Sequence, residues 1–374
     1  MLKTCSHPIM LCISKGKIVF YRLFDIASEI EINKIEKKAV KGIKRLHLSK
    51  QPYMEALQFT NPPISLDLKS FRATFNQKPM PVDVVAKLYD FGVLSLAFFI
   101  NLPEGFTFKE LEDTAYFIDK KKPLDKKALD YVYEILNTFS DSIIEPGIKE
   151  EFTEDYTVYF IEKLSSPVTA EEFLKHYNPA KLLLNETREL SRFTIEETLK
   201  YRFSYYPDDL VIVHLDNAFV IEPSGSSDLL DLLEFANAQI LELRYYDNYL
   251  DNELNLIYKE LSKRSGISIL SLREHEKLAR RLTETVTDLT EVTEKVNNAL
   301  KVTEDVYYAK IYRTAMNLLR SKDWEDSIDN KLQVVINTHK MLYDEISTKR
   351  EQLLELGIFL LIIIEIFLAL TGIW

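Results

Sequence analysis

The chain has 374 residues, enough for two or three domains, and 46% hydrophobic with 11% aromatic residues can supply real cores. That composition excludes wholesale disorder, and a net charge of −11 argues against direct nucleic-acid binding through global electrostatics. Cys5 and Cys12 are the two cysteines, so no disulfide framework is expected; free thiols in a reducing compartment are the simplest expectation.

The first segment, MLKTCSHPIMLCISKGKIVFYRLF, lacks a long apolar core followed by small cleavage-site residues and reads without a secretory signal. Ile18–Phe24, Gly92–Ile100 and Tyr156–Ile161 are short β-branched and aromatic runs that predict buried strands. Tyr201–Tyr206, Leu210–Leu215 and Ala218–Ile221 predict a small meander, with turns at Pro207-Asp208-Asp209 and Asp216-Asn217. Helices are expected over Lys127–Phe139, Thr169–Tyr177 and Ile195–Tyr201, with Thr169 and Glu172 spaced as a capping box. The EPGIKE stretch at 145–150 predicts a boundary between an N-terminal α/β unit (1–147) and a second one (148–225).

After Pro223-Ser224-Gly225 the pattern changes to heptads, and a long helical stalk is expected over 226–352. Ser226 or Ser227 caps the first helix, whose seam runs Leu229, Leu233, Ala236, Ile240, Leu243, Asp247, Leu250, Leu254, Ile257 and Leu261. Ser265-Gly266 ends it. A second seam runs from Leu278 through Leu282, Leu289 and Val296 to Val306, in a helix expected to reach Arg320 before a reversal capped by Asp323. The third seam includes Ile328, Leu332, Val335, His339, Leu342, Ile346, Lys349, Leu353, Leu356 and Leu360, and leads directly into an apolar terminus. The fold class is therefore α+β: a mixed α/β head, long antiparallel coiled-coil-like helices and one C-terminal transmembrane helix.

Residues 353–374 are that expected transmembrane anchor, making the protein tail-anchored. Leu356–Trp374 supplies 19 residues with one charge, and about 20 apolar residues cross a hydrocarbon layer of about 30 Å. The competing reading is a core helix buried in an oligomer, but the segment lacks the wet face that such a helix keeps. Lys349 and Arg350 precede the span, so that side is expected in the cytoplasm or, in a mitochondrion, on the matrix side, with Trp374 at the far interface. Glu365 sits at the middle of the span. A bare carboxylate there costs about 2.5–3.5 kcal/mol on insertion scales, so Glu365 is expected protonated or paired, most simply with the same helix of neighbouring subunits in a homo-oligomer; a lone protonated side chain facing lipid and a pore lined by Glu365 are the alternatives.

Catalytic constellations are scarce. No phosphate-binding, dinucleotide, nucleophile-elbow, HExxH or CxxC motif occurs, so no cofactor and no enzyme activity is expected. Cys5, His7 and Cys12 lack a fourth zinc ligand and are read as coincidence. The segment Asn33–Lys50 gathers Lys34, Lys37, Lys38, Lys41, Lys44 and Arg45 against Glu36, a contact patch for anionic lipid or RNA or, more simply, a solvated face.

LTEVTEKVNNALKVTEDVYYAKIYRTA and KLQVVINTHKMLYDEISTKREQLLELGIFLLIIIEIF, with Leu354-Glu355 before the span and Glu365 within it, carry a resemblance. Over roughly residues 200–374 the chain resembles the family named for "required for meiotic nuclear division", a sporulation-type domain of unknown function. The resemblance implies a prokaryotic member, since no presequence is present, and a membrane tether related to translation, with the ribosome or its products as partner. Two function classes follow: a membrane-anchored, non-enzymatic scaffold whose cytoplasmic head binds a protein or ribosome partner, or an oligomeric ion channel or transporter of CorA-like architecture. The single expected span and the missing Gly-Met-Asn signature favour the scaffold.

Overall fold

A computed structural model describes residues 11–37, 43–45, 62–149, 152–262, 276–277, 279–283, 286–287 and 305–370. They form two compact units, Met1–Glu242 with Asn298–Lys322, and Leu243–Asn297 with Asp323–Trp374. The architecture is α+β, as the sequence pattern predicts.

The first unit is built on a ten-stranded sheet. Its strands in chain order begin with β1 (Cys12–Asp25); β2 (Glu29–Ile30) pairs elsewhere. A short helix α1 (Ile32–Lys37) leads to β3 (Ile43–Arg45), then β4 (Ile64–Phe75), β5 (Lys78–Leu88), β6 (Val93–Asn101) and β7 (Phe106–Thr107). Helices α2 (Phe108–Lys121) and α3 (Asp125–Thr138) follow, then β8 (Ile143–Ile144), which pairs with β2, and β9 (Thr153–Leu164). Three short helices, α4 (Ala170–His176), α5 (Ala180–Leu183) and α6 (Arg192–Thr198), precede β10 (Arg202–Phe203), β11 (Leu210–Val213) and β12 (Asn217–Ile221). The sheet order is β10-β11-β12-β9-β1-β6-β5-β4-β3, with β7 beside β1; β12 runs parallel to β9 and the other pairs are antiparallel.

The central strands are buried on both faces, which is why β1 and β6 read as continuous apolar runs rather than alternating ones. On one face Ile18, Phe20, Phe98 and Ile100 join a core with Leu111 and Ile118 of α2 and Val132 and Ile135 of α3. α2 begins in a capping box. The Thr107 hydroxyl accepts from the Glu110 amide at 3.2 Å, and Glu110 accepts from the Thr107 amide at 2.8 Å. Hydrogen bonding to Lys78, then to the Thr107 amide, holds the Glu110 carboxyl down to about 2.

The other face meets α7 (Asp228–Ser262) and α8 (Val306–Leu318). Tyr21 donates to the Leu230 carbonyl at 3.3 Å, and the Tyr89 and Phe235 rings lie 6.0 Å apart. Tyr312 of α8 stacks on Phe235 with centroids 6.4 Å apart, and its hydroxyl donates to Gln239. The head is thus a helix–sheet–helix sandwich.

Several sequence boundaries shift for physical reasons. The expected division at 147/148 falls inside one sheet, because β9 pairs along almost the whole of β1 and carries β12 on its far side. The stalk expected from residue 226 starts later. Every residue from Leu232 to Leu243 is buried, including Glu234, Asn237, Gln239 and Glu242, so this part of α7 is a core helix without a wet face. The second stalk helix does not run unbroken to Arg320. Asp305 caps a fresh start by accepting from the amides of Tyr307 and Tyr308, and Val306, expected in the seam, is 83% exposed. The break comes at Arg320 (φ 57°), so the last helix, α9 (Ser321–Leu370), begins at Ser321 rather than after Asp323. The hairpin of β4 and β5 is not among the strands that the sequence pattern predicts. Its two turn residues, Asn76 and Gln77, both have positive φ, as a tight two-residue hairpin requires.

Candidate functional site

α9 spans 50 residues, about 75 Å at 1.5 Å per residue. Its seam residues Ile328, Leu332, Val335, Leu342 and Ile346 are buried. Beyond Ile346 the helix loses its cover. Leu354, Leu361 and Phe367 are about two-thirds exposed, and the predicted seam positions Leu356 and Leu360 are exposed rather than buried. The C-terminal part is long and apolar enough, by length and composition, to cross a membrane. Glu365 lies in it, exposed and without an ion-pair partner among the described residues. Trp374 lies outside them.

Below this segment the second unit is held in register by polar contacts between helices. The polar interruption at Asp247 is a docking point. Its carboxylate accepts from Lys331 Nζ at 2.7 Å and from the Ser327 hydroxyl at 2.6 Å, and Lys331 also reaches Asp251 at 2.8 Å. Burial pulls the Lys331 ammonium down, but the hydrogen bonds to Asp247 and Asp251 outweigh it and raise the net value. Arg281 pairs with Glu253 at 2.8 Å, Thr283 with the His339 ring at 3.0 Å, and Arg350 with Glu276 at 2.5 Å. The last two pairings run in opposite chain directions, which sets α9 antiparallel to the helical residues of 276–287. His339 and Lys349, the two polar seam residues of α9, are thereby explained: His339 meets Thr283, and Lys349 pairs with Glu345 at 2.7 Å. The seam residues Leu278, Leu289 and Val296 lie outside the described residues, as does the Ser265-Gly266 break.

The head also holds a buried ionic cluster that the sequence pattern does not announce. Lys87 of β5 donates to Asp231 at 2.5 Å and to Glu234, both on the first two turns of α7. Lys87 is 6% and Glu234 0% exposed. Burial raises the Glu234 carboxyl, opposed by Lys87 and reinforced by Asp231, while the two carboxylates outweigh burial and raise the Lys87 ammonium. Two acids share one cation here, beside the Tyr21 and Tyr89 hydroxyls, whose values burial and Glu234 push up. The arrangement pins α7 to the sheet. Its only sequence signal is a lysine in the otherwise apolar end of β5, matched by acids at i and i+3 of a helix start.

The basic patch is only partly described. In α1, Ile32 and Ile35 are buried while Lys34 and Lys37 are exposed, and Lys34 pairs with Glu31. Lys44 and Arg45 fall on β3, and Lys38 and Lys41 lie outside the described residues. Cys5 and His7 also lie outside them; Cys12 is half-buried at the start of β1.

The sheet and the start of α7 coincide with a known family. The family described as "Uncharacterized protein MJ0711, N-terminal domain" matches residues 15–228, from β1 to the first residue of α7. The chain belongs to this family. It is 25% identical over 258 residues to the uncharacterized protein MJ0711 of Methanocaldococcus jannaschii, covering 67% of this chain and 78% of that protein. No solved structure matches the chain.

Proposed function

We propose that the protein is a membrane-anchored, non-enzymatic scaffold: a cytoplasmic α+β head, carried on a helical stalk, binds a protein partner while the end of α9 crosses the cytoplasmic membrane once. One observation carries this reading. α9 continues without a break from a buried seam ending at Ile346 into a stretch that is apolar and exposed on all sides. Water is a poor solvent for such a surface, and a bilayer is the natural one. Lys349 and Arg350 at the junction support a cytoplasmic head, because the positive-inside bias counts cations even when acids pair with them. The resemblance of the C-terminal third to the meiotic-nuclear-division family supports a translation-related partner, a ribosome or its product. Deleting residues 357–374 is expected to release the protein from membranes with the head still folded. Recovery of the truncated protein in the carbonate-resistant pellet overturns the anchor.

Self-association belongs to the same proposal. Glu365 lies about nine residues from either end of Leu356–Trp374, too deep to reach headgroups easily, and with one candidate span among the described residues the same helix of another copy is the simplest partner. Glu365→Leu is expected to insert normally but to lower the stoichiometry, while Glu365→Gln, which still hydrogen-bonds, largely preserves it. Native mass spectrometry in mild detergent measures this, and an unchanged stoichiometry for the leucine variant refutes it.

A further inference from the structure

Four tyrosines meet where the β10–β11 loop lies against the start of α8, all within the first unit. The Tyr205 and Tyr206 ring centroids are 4.9 Å apart at 76°, those of Tyr205 and Tyr307 5.4 Å apart at 68°, and those of Tyr307 and Tyr308 5.7 Å apart at 69°. Each ring in this series stands nearly at right angles to the next, so their faces make corners rather than a stack. Tyr308 is buried and Tyr307 half-buried, whereas Tyr205 and Tyr206 are 59% and 58% exposed. The two exposed rings are fixed from below. The buried Asp209 carboxylate accepts from the Tyr205 amide at 2.7 Å and the Tyr206 amide at 3.1 Å, and the Ser204 hydroxyl donates to the Tyr206 carbonyl at 2.6 Å. Asp305 holds the other side in the same way, accepting from the Tyr307 and Tyr308 amides at 2.8 and 3.1 Å.

Edge-to-face contact is an ordinary way for buried aromatic rings to pack. Here two of the rings stand mostly in water on a turn that a buried carboxylate fixes, so apolar burial does not account for the arrangement. The surroundings add a sign. Burial, then Asp209, Glu222 and Asp305, push the Tyr307 hydroxyl up, so the charges acting beside the rings are negative. Aromatic faces carry the negative part of the ring quadrupole, and faces and carboxylates together attract a cation. These carboxylates are engaged in their own turns: Asp209 and Asp305 with two amides each, and Glu222 with the amide and hydroxyl of Ser224 at 3.1 and 2.7 Å. They act on a cation mainly through their field. Such a site suits a cation that has no N–H groups to satisfy. Lys310, three residues after Tyr307, already lies over the Phe203 ring, 5.5 Å from its centroid, so aromatic surface at this edge of the sheet does take an ammonium.

We propose that the corner made by Tyr205, Tyr206 and Tyr307 binds a trimethylammonium group, carried by a small molecule or by a methylated lysine side chain. The proposal does not rest on the anchor. The test is calorimetric titration of the full chain, in non-ionic detergent at fixed ionic strength, with three probes. These are choline, its uncharged isostere with a tert-butyl group in place of trimethylammonium, and a short trimethyllysine peptide beside its unmethylated form. Choline is expected to bind at one site per chain with Kd of about 1 mM or tighter, and the isostere about tenfold more weakly or not at all. Binding of the methylated peptide more tightly than choline assigns the group to a protein side chain, and the reverse order assigns it to a small molecule. Tyr205→Leu, at an exposed position, is expected to weaken choline about fivefold or more with the melting temperature unchanged, while Tyr205→Phe, which keeps the ring face, retains binding. Tyr133→Leu, removing a 53% exposed tyrosine of α3, is expected to change nothing. Absence of binding by choline and by the methylated peptide, binding matched by the uncharged isostere, or equal loss in the Tyr133 variant overturns the proposal.

Discussion

Lys87→Met is expected to destabilise the head by about 3–5 kcal/mol, the usual consequence of removing one partner from a buried ion pair. Methionine fills the space of the lysine stem, so the loss is electrostatic rather than a cavity effect. It leaves Asp231 and Glu234 together, with Glu234 fully buried and deprived of the one cation that offsets its burial. The pH dependence follows from sign. A carboxyl whose folded-state value is raised above its unfolded value favours folding when protonated, and that contribution is lost as pH rises through the folded value. The gap between Lys87→Met and the wild type should therefore narrow as pH falls toward the carboxylate range and widen again toward neutrality. The companion Glu234→Gln keeps Asp231 for Lys87 and removes the excess negative charge, so it should cost far less. Urea midpoints for the three proteins at pH 5 and pH 7 measure this. A Lys87→Met midpoint equal to wild type at pH 7 would show that the ammonium does not balance the acids.

The contrast between the buried ionic cluster and the heptad seams explains what was legible in the sequence. Periodicity is local information, so β1, β6 and β9, the capping box at Thr169, and the seam of α9 as far as Ile346 could be read directly. Thr169 does accept from the Glu172 amide at 3.2 Å, and Glu172 from the Thr169 amide at 3.0 Å. The Lys87 cluster joins residues 144 and 147 positions apart, and nothing in the spacing of a lone lysine announces its partners. The same holds for Asn217 and Thr157, which become neighbours only through the parallel pairing of β12 with β9. Asp247 marks the halfway case. Its intrusion into a seam was visible, but its reason, Lys331 and Ser327 on another helix, was not. The misplaced boundary at 147/148 has a related cause: a Pro-Gly turn signals a change of direction, not a change of domain.

Leu342→Asp is expected to cost roughly 3 kcal/mol or more, because it removes a buried side chain and substitutes a charge with no cation to meet it. Leu342 is 0% exposed in α9 and lies one heptad after Val335, also 0% exposed, on the face that carries Lys331 toward Asp247. Leu243→Asp in α7, where Leu243 is 3% exposed, should behave alike. Lys277→Asp, on an exposed position of the neighbouring helical segment, should stay within about 0.5 kcal/mol of wild type. The ion pairs at Glu253 and Glu276, each made by an exposed arginine, fix the register of these helices but contribute little energy individually. The apolar seam must then supply most of the stability of the second unit. Thermal melts of the three variants in detergent separate the two contributions. Equal losses from Leu342→Asp and Lys277→Asp would mean that the seam is not the face on which these helices pack.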